Sequence, residues 1–219
     1  MFFHKHPYKP YILNNSTKLI VGTLPPPRFS TGNLNEKDVN FCYGSSHGQL
    51  WKILNQIFDL NLVFETTEKA IQQRKNFLIK YKIGVCDIVA SCEREKIDAT
   101  DLGMQNVKLR DIITYLKKYP KIDTLLFMGG NSKNGPEYFF RKHLKHYKID
   151  YKVESSEVPR IHSFVLNNRI IKTISLTAPS GAANRAVGSI PLYKKLKAAD
   201  KSFTTLDFRA MQYKPFFIK

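Results

Sequence analysis

Residues 18–27 read "KLIVGTLPPP". Leu19, Ile20 and Val21 form an apolar run that Gly22 closes, and Pro25, Pro26 and Pro27 bar its continuation. Such a run is a buried strand that passes into a stiff loop. Similar stretches recur along the chain. "IGVCDIVAS" (83–91) is a short buried strand, and "KIDTLLFMGG" (121–130) is a strand stopped by two glycines. "IHSFVLNNRIIKTISLTA" (161–178) has the form of a hairpin around Asn167 and Asn168.

Helical patterns lie between these runs. Leu50, Ile53, Leu54 and Ile57, with Trp51 and Phe58 beside them, fall at helical spacing, and Ser46 is the expected N-cap. Further helices are expected over 68–80, 106–119, 135–147 and 188–199, the third with Pro136 in its first turn. The last twelve residues, "FRAMQYKPFFIK", read as a basic, aromatic tail. Strands alternating with helices predict an α/β protein with a mostly parallel sheet between helical layers. The 219 residues suit a single domain over 1–219 with short basic N- and C-terminal extensions. Ligands of such sheets bind at the carboxyl ends of the strands. "GTLPPP", "CDIVASCERE" and "LTAPSGAAN" are unusually tight or polar ends, and "YGSSHGQLW" (43–51) follows the first of them.

Composition narrows the partner. Lys and Arg number 35 against 18 Asp and Glu, a formal charge of +17, which favours a polyanion such as DNA. The competing explanation is a lysine-rich composition that only keeps the protein in solution. No apolar run approaches the ~20 residues of a membrane span, so no membrane partner is expected and the chain reads as cytoplasmic. Cys42, Cys86 and Cys92 are too few for a disulfide framework or a four-thiolate cluster. His4 and His6 read as a mobile N-terminal pair, and no metal is expected.

The ordered set "HPYKPYI", "KLIVGTLPPP", "YGSSHGQLW", "GVCDIVASCERE", "LLFMGGN" and "LTAPSGAAN" resembles the uracil-DNA glycosylase superfamily, most closely its hypoxanthine-DNA glycosylase branch. No single piece is specific, but together they span most of residues 6–200. The resemblance implies a three-layer α/β/α sandwich that flips an altered, damaged or modified base out of DNA. It implies hydrolysis of the N-glycosidic bond without metal or organic cofactor. No lysine stands out as a Schiff-base nucleophile, so a monofunctional enzyme is expected, and the chain is expected to be a monomer. Two departures stand out. Leu24 occupies the place of a water-activating Asp or Asn found in many relatives. Gly48 lies three residues before Trp51, where the hypoxanthine branch carries Asn.

The candidate residues each have a plainer alternative. Asp87 lies between apolar neighbours in a strand, where a carboxylate is costly without partners. It is a catalytic candidate, or else a buried acid that satisfies loop amides. With Gly48 in place of Asn, catalysis has either moved to a neighbour such as Ser46, His47 or Gln49 or been lost. His47 and Gln49 are catalytic candidates near the base edge, or else a surface or capping residue and a solvated helix residue. Gly22, Thr23, Tyr43, Ser45, Ser46 and Gly48 would line the base pocket, with Tyr43 stacking on the base; alternatively Tyr43 is ordinary core. Asp98 and Asp101 either face the sugar or are solvated loop residues. Arg94 is free to pair with Asp87 or to contact phosphate. Pro179, Ser180, Gly181, Asn184 and Arg185 would approach the DNA backbone, or else form a simple turn after the hairpin.

Overall fold

The structure is a computed structural model that describes residues 1–218. In chain order its elements are β1 (Phe2–Lys5), β2 (Lys18–Val21), α1 (Pro27–Thr31), α2 (Leu50–Phe58), α3 (Glu68–Lys80), β3 (Ile83–Val85), β4 (Val89–Arg94), β5 (Gln105–Leu109), α4 (Ile112–Lys118), β6 (Thr124–Phe127), α5 (Pro136–His146), β7 (Lys152–Ser155), β8 (Arg160–Leu166), β9 (Arg169–Ser175), α6 (Asn184–Ser189), α7 (Pro191–Ala199) and α8 (Thr205–Phe217). The main sheet has six strands in the order β3-β2-β6-β9-β8-β7. Its first four strands run parallel, and β8 and β7 are antiparallel additions. A smaller antiparallel sheet joins β1, β4 and β5.

Alternation along the central strands builds the three layers. Ile20, Leu126 and Ile174 point to one face and meet Leu50, Trp51 and Ile53 of α2, Phe77 and Leu78 of α3, and Tyr213 and Phe217 of α8. Leu19, Val21, Leu125 and Phe127 point to the other and meet Ile112, Ile113 and Leu116 of α4 and Phe139, Phe140 and Leu144 of α5. The central parallel strands are therefore buried on both faces, whereas Val153, Val165 and Ile170 on the antiparallel side are exposed, and the fold is an α/β/α sandwich.

Several elements differ from the sequence reading, each for a local reason. The helix expected over 106–119 begins only at Ile112, capped by Asp111, because Gln105–Leu109 pairs with β4. The run 83–91 is two strands in two sheets. Ser46 does not cap α2; the helix begins at Leu50 after Gln49, whose amide donates to Pro179 O at 2.8 Å. The helix expected over 188–199 is two, broken at Ile190–Pro191. His4 and His6 are buried rather than mobile. The expected C-terminal tail is α8, opened by a Thr204–Asp207 capping box, with Arg209, Tyr213 and Phe217 buried; Lys219 lies outside the described residues. The first and last elements, β1 and α8, are thus both built into the packed structure, β1 through His4 and α8 through Arg209, Tyr213 and Phe217.

Candidate functional site

The carboxyl ends of β2 and β3 lie side by side, and Asp87 stands just beyond β3. Its Oδ1 accepts from the Gly22 amide at 3.0 Å and from the Tyr43 hydroxyl at 2.9 Å. Its Oδ2 accepts from His6 Nε2 at 2.9 Å. The Tyr8 amide donates to His6 Nδ1 at 3.1 Å, so Nδ1 is the acceptor nitrogen and Nε2 carries the proton. His6 is therefore a neutral donor. Burial and the Asp87 charge push the Tyr43 phenol well above its ordinary value, which keeps it protonated and donating. Asp87 is thus buried under three neutral donors, with no Lys or Arg hydrogen-bonded to its carboxylate among the described residues.

Gly22 makes this packing possible. A Cβ there would lie 2.2 Å from the Tyr43 hydroxyl and 2.9 Å from Asp87 Oδ1, so a side chain would evict one of them. Thr23 follows, and its hydroxyl donates to Asp101 Oδ1 at 2.8 Å. Burial pulls the Asp101 carboxyl above its ordinary value. Leu24 packs against the core on the α4–α5 face. Beside Asp87, burial pushes the Cys86 thiol up to about 12, so it stays protonated and is no nucleophile.

The loop from Val39 to Gln49 is held from below. Asp38 is fully buried and accepts from Arg28 Nε at 2.6 Å, Arg28 Nη2 at 3.0 Å, and the Ser46 and Asn35 amides at 2.7 and 2.9 Å. Burial works against its charge, but Arg28 and the amides overcome that and hold its carboxyl far below the usual range. Arg28 also donates to Ser45 Oγ at 2.8 Å. Ser45 and Ser46 therefore shape the loop by bonding downward into this network. His47 is exposed and makes no hydrogen bond among the described residues.

A second clamp joins this loop to the one after β9. Gly48 pairs with Ser180 as an isolated bridge, so Gly48 serves backbone pairing between the two loops. Arg209 of α8 is fully buried and donates to Gln49 Oε1 at 2.8 Å, Asn184 Oδ1 at 2.9 Å, Ala178 O at 2.9 Å and Ser180 O at 3.1 Å. Gln49 and Asn184 are accordingly tied to one guanidinium. Pro179 is buried and accepts from the Gln49 amide, whereas Gly181 and Arg185 are exposed at the loop's tip.

The structure thus brings Gly22, Tyr43 and Asp87 into direct contact, sets Thr23 beside them, and couples Gln49 and Gly48 to Pro179, Ser180 and Asn184. It leaves His47 outside the Asp87 network. Arg94 does not pair with Asp87; its Nε donates to His4 Nδ1 at 2.9 Å and its Nη1 to Thr100 O at 2.7 Å. Asp38, Arg28 and Arg209 escaped sequence reasoning, and His6, read there as half of a mobile pair, is a buried partner of Asp87. His6 lies 81 positions from Asp87, and no local pattern links them. Among the described residues, no group of three or more His, Cys, Asp or Glu side chains is placed to hold a metal, and no helix is long and apolar enough to cross a membrane.

With this geometry in place, the chain is similar in fold to the solution NMR structure of a "putative Uracil DNA glycosylase" from Methanosarcina acetivorans. The TM-score is 0.54 at 15% identity, over 95% of this chain and 99% of that one. No family model matches the sequence, and no curated protein matches it. At that identity the likeness is one of fold alone.

Proposed function

We propose that the chain is a DNA glycosylase that flips an altered base out of DNA and hydrolyses its N-glycosidic bond. The observation that carries this is the Asp87 carboxylate, pinned at the β2–β3 junction by neutral donors; no Lys or Arg among the described residues is hydrogen-bonded to its oxygens, and the nearby Arg110 guanidinium reaches only its backbone carbonyl, at 3.5 Å. Breaking an N-glycosidic bond makes an oxocarbenium-like sugar and an anionic base. A carboxylate fixed by neutral donors favours the first of these charges without reorganising. The half-buried Tyr43 ring beside it offers a surface on which the flipped base can lie. The net charge of +17 supplies attraction to phosphates, and the exposed Gly181 and Arg185 suit contact with the DNA backbone. The fold shared with the archaeal protein supports the same assignment, and the sequence motifs favour the hypoxanthine branch within it. Water is the nucleophile in this proposal, the enzyme is monofunctional, and DNA is its macromolecular partner.

The test is release of free base from duplexes that carry uracil, hypoxanthine, xanthine or bulky modified cytosines, read by alkaline cleavage, with Asp87→Asn alongside. Release of one base by the wild type, reduced in Asp87→Asn, supports the proposal. A second reading, a DNA-binding protein without catalysis, is favoured by Leu24 packing into the core and Gly48 serving a backbone bridge. It predicts salt-dependent DNA binding and no release from any duplex.

A further inference from the structure

Two carboxylates stand at this site, and their surroundings differ. Asp87 has both oxygens engaged by donors. Asp101 opens a 3-10 turn, Asp101–Gly103, within the segment between β4 and β5. Its Oδ1 accepts from the Thr23 hydroxyl, one residue beyond Gly22. Its backbone oxygen accepts from Asn134 Nδ2 at 2.9 Å, and the same amide group reaches Met104 O at 3.1 Å. Asn134 is buried in the loop after β6. Asp101 is therefore fastened to the loops that follow two neighbouring parallel strands, β2 and β6. Its Oδ2 makes no hydrogen bond among the described residues and is not among the buried unpartnered atoms, so it reaches solvent.

We propose that Asp101 is the water-activating carboxylate of the site, supplied from the β4–β5 segment to a first loop that has only Leu24 of its own. The inference rests on the glycosylase function proposed above and assigns its general base. Asp101 Oδ2 takes a proton from a water as the water oxygen bonds to C1′. The C1′–N bond breaks, and its electron pair leaves with the base. The proton then passes to the base nitrogen or to solvent, so the balance is one water consumed, with an abasic sugar and a free base formed. Burial pulls Asp101 toward higher pKa; the Thr23 hydroxyl and the Arg94 guanidinium oppose it and the Asp87 charge adds to it, and the net upward shift makes it a stronger base than an ordinary aspartate. Asp87 then fixes charge while Asp101 moves the proton.

The test is single-turnover excision by wild type and Asp101→Asn, on whichever duplex of the panel the wild type cleaves, across pH. Asparagine keeps the acceptor for Thr23 and is nearly isosteric, so folding, checked by thermal melting, and DNA affinity, checked by anisotropy, should hold. We expect the rate to fall by roughly 100- to 10,000-fold at neutral pH. The wild-type rate should rise with pH through an acidic limb set by Asp101, and the variant should lose that limb. A variant within about threefold of wild type that retains the limb would overturn the role of Asp101 while leaving the glycosylase intact. A wild type that binds DNA and releases no base from any duplex would overturn both.

Discussion

Asp87 and Glu137 are both buried acids near the carboxyl ends of the parallel strands, yet they are held in opposite ways. Glu137, in the first turn of α5, is fully buried; its Oε1 accepts from Arg141 Nε at 2.8 Å, and its Oε2 accepts from Arg160 Nη2 at 2.6 Å and Ser175 Oγ at 2.7 Å. Burial raises its carboxyl, but the Ser175 hydroxyl and the two guanidiniums outweigh burial and hold it below its ordinary value. Its charge is cancelled on the spot, and the result is a brace that ties α5 to β8 and β9. Asp87 has an amide, a phenol and a neutral imidazole instead. Those donors fix the carboxylate without cancelling its charge. Two buried acids of the same fold are thus held differently, and the difference lies in whether the donors bring charge with them.

The largest expected effect is on the brace. Glu137→Gln leaves Arg141 and Arg160 facing an amide, and we expect a loss of about 2–3 kcal/mol in urea unfolding, below the value for a wholly buried pair because both arginines are about one-third exposed. The sign with pH follows from the lowered pKa. Glu137 contributes stability above its unfolded value near 4.5, and that contribution fades as pH falls through its folded value. The gap between wild type and Glu137→Gln should therefore narrow in acid, and a constant gap would deny the brace its charge.

Next comes Gly22→Ala. Its Cβ would press on Tyr43 and Asp87, and we expect excision to drop by about 100-fold, the scale of a misplacement near 1 Å. An unchanged rate would mean that the Tyr43–Asp87 contact has no part in the chemistry. Tyr43→Phe removes one of the three donors to Asp87 and should cost about 1 kcal/mol of stability by thermal melting. The smallest effect is expected at His47: His47→Ala should change stability by less than about 0.5 kcal/mol, because the side chain is exposed outside both networks. A larger loss would show a contact that the fold described here lacks.

Much of the architecture was legible because it rests on local pattern. The helix over 68–80 and the hairpin at Asn167–Asn168 follow from periodicity and turn chemistry, and both asparagines do adopt positive φ. Where pairing is non-local, the pattern misled. Gln105–Leu109 carries a helix-like spacing but is claimed by β4, and α8 looked like a tail because its apolar residues are not confined to one stripe. The site divides in the same way. Asp87, Gly22 and Tyr43 stood out as odd residues in short motifs. Their supports did not: His6 opens a quoted motif and Arg209 lies in the expected tail, but nothing local ties either to a site that each reaches from far along the chain.

The most direct test of the account sets the two acids against each other: single-turnover base release and unfolding free energy, measured in parallel for Asp87→Asn and Glu137→Gln. The account predicts that Asp87→Asn loses at least roughly 100-fold in rate while staying within about 2 kcal/mol of wild-type stability, and that Glu137→Gln is less stable yet excises normally when folded. An Asp87→Asn variant that keeps its rate and loses only stability would contradict it, and would make Asp87 a second brace.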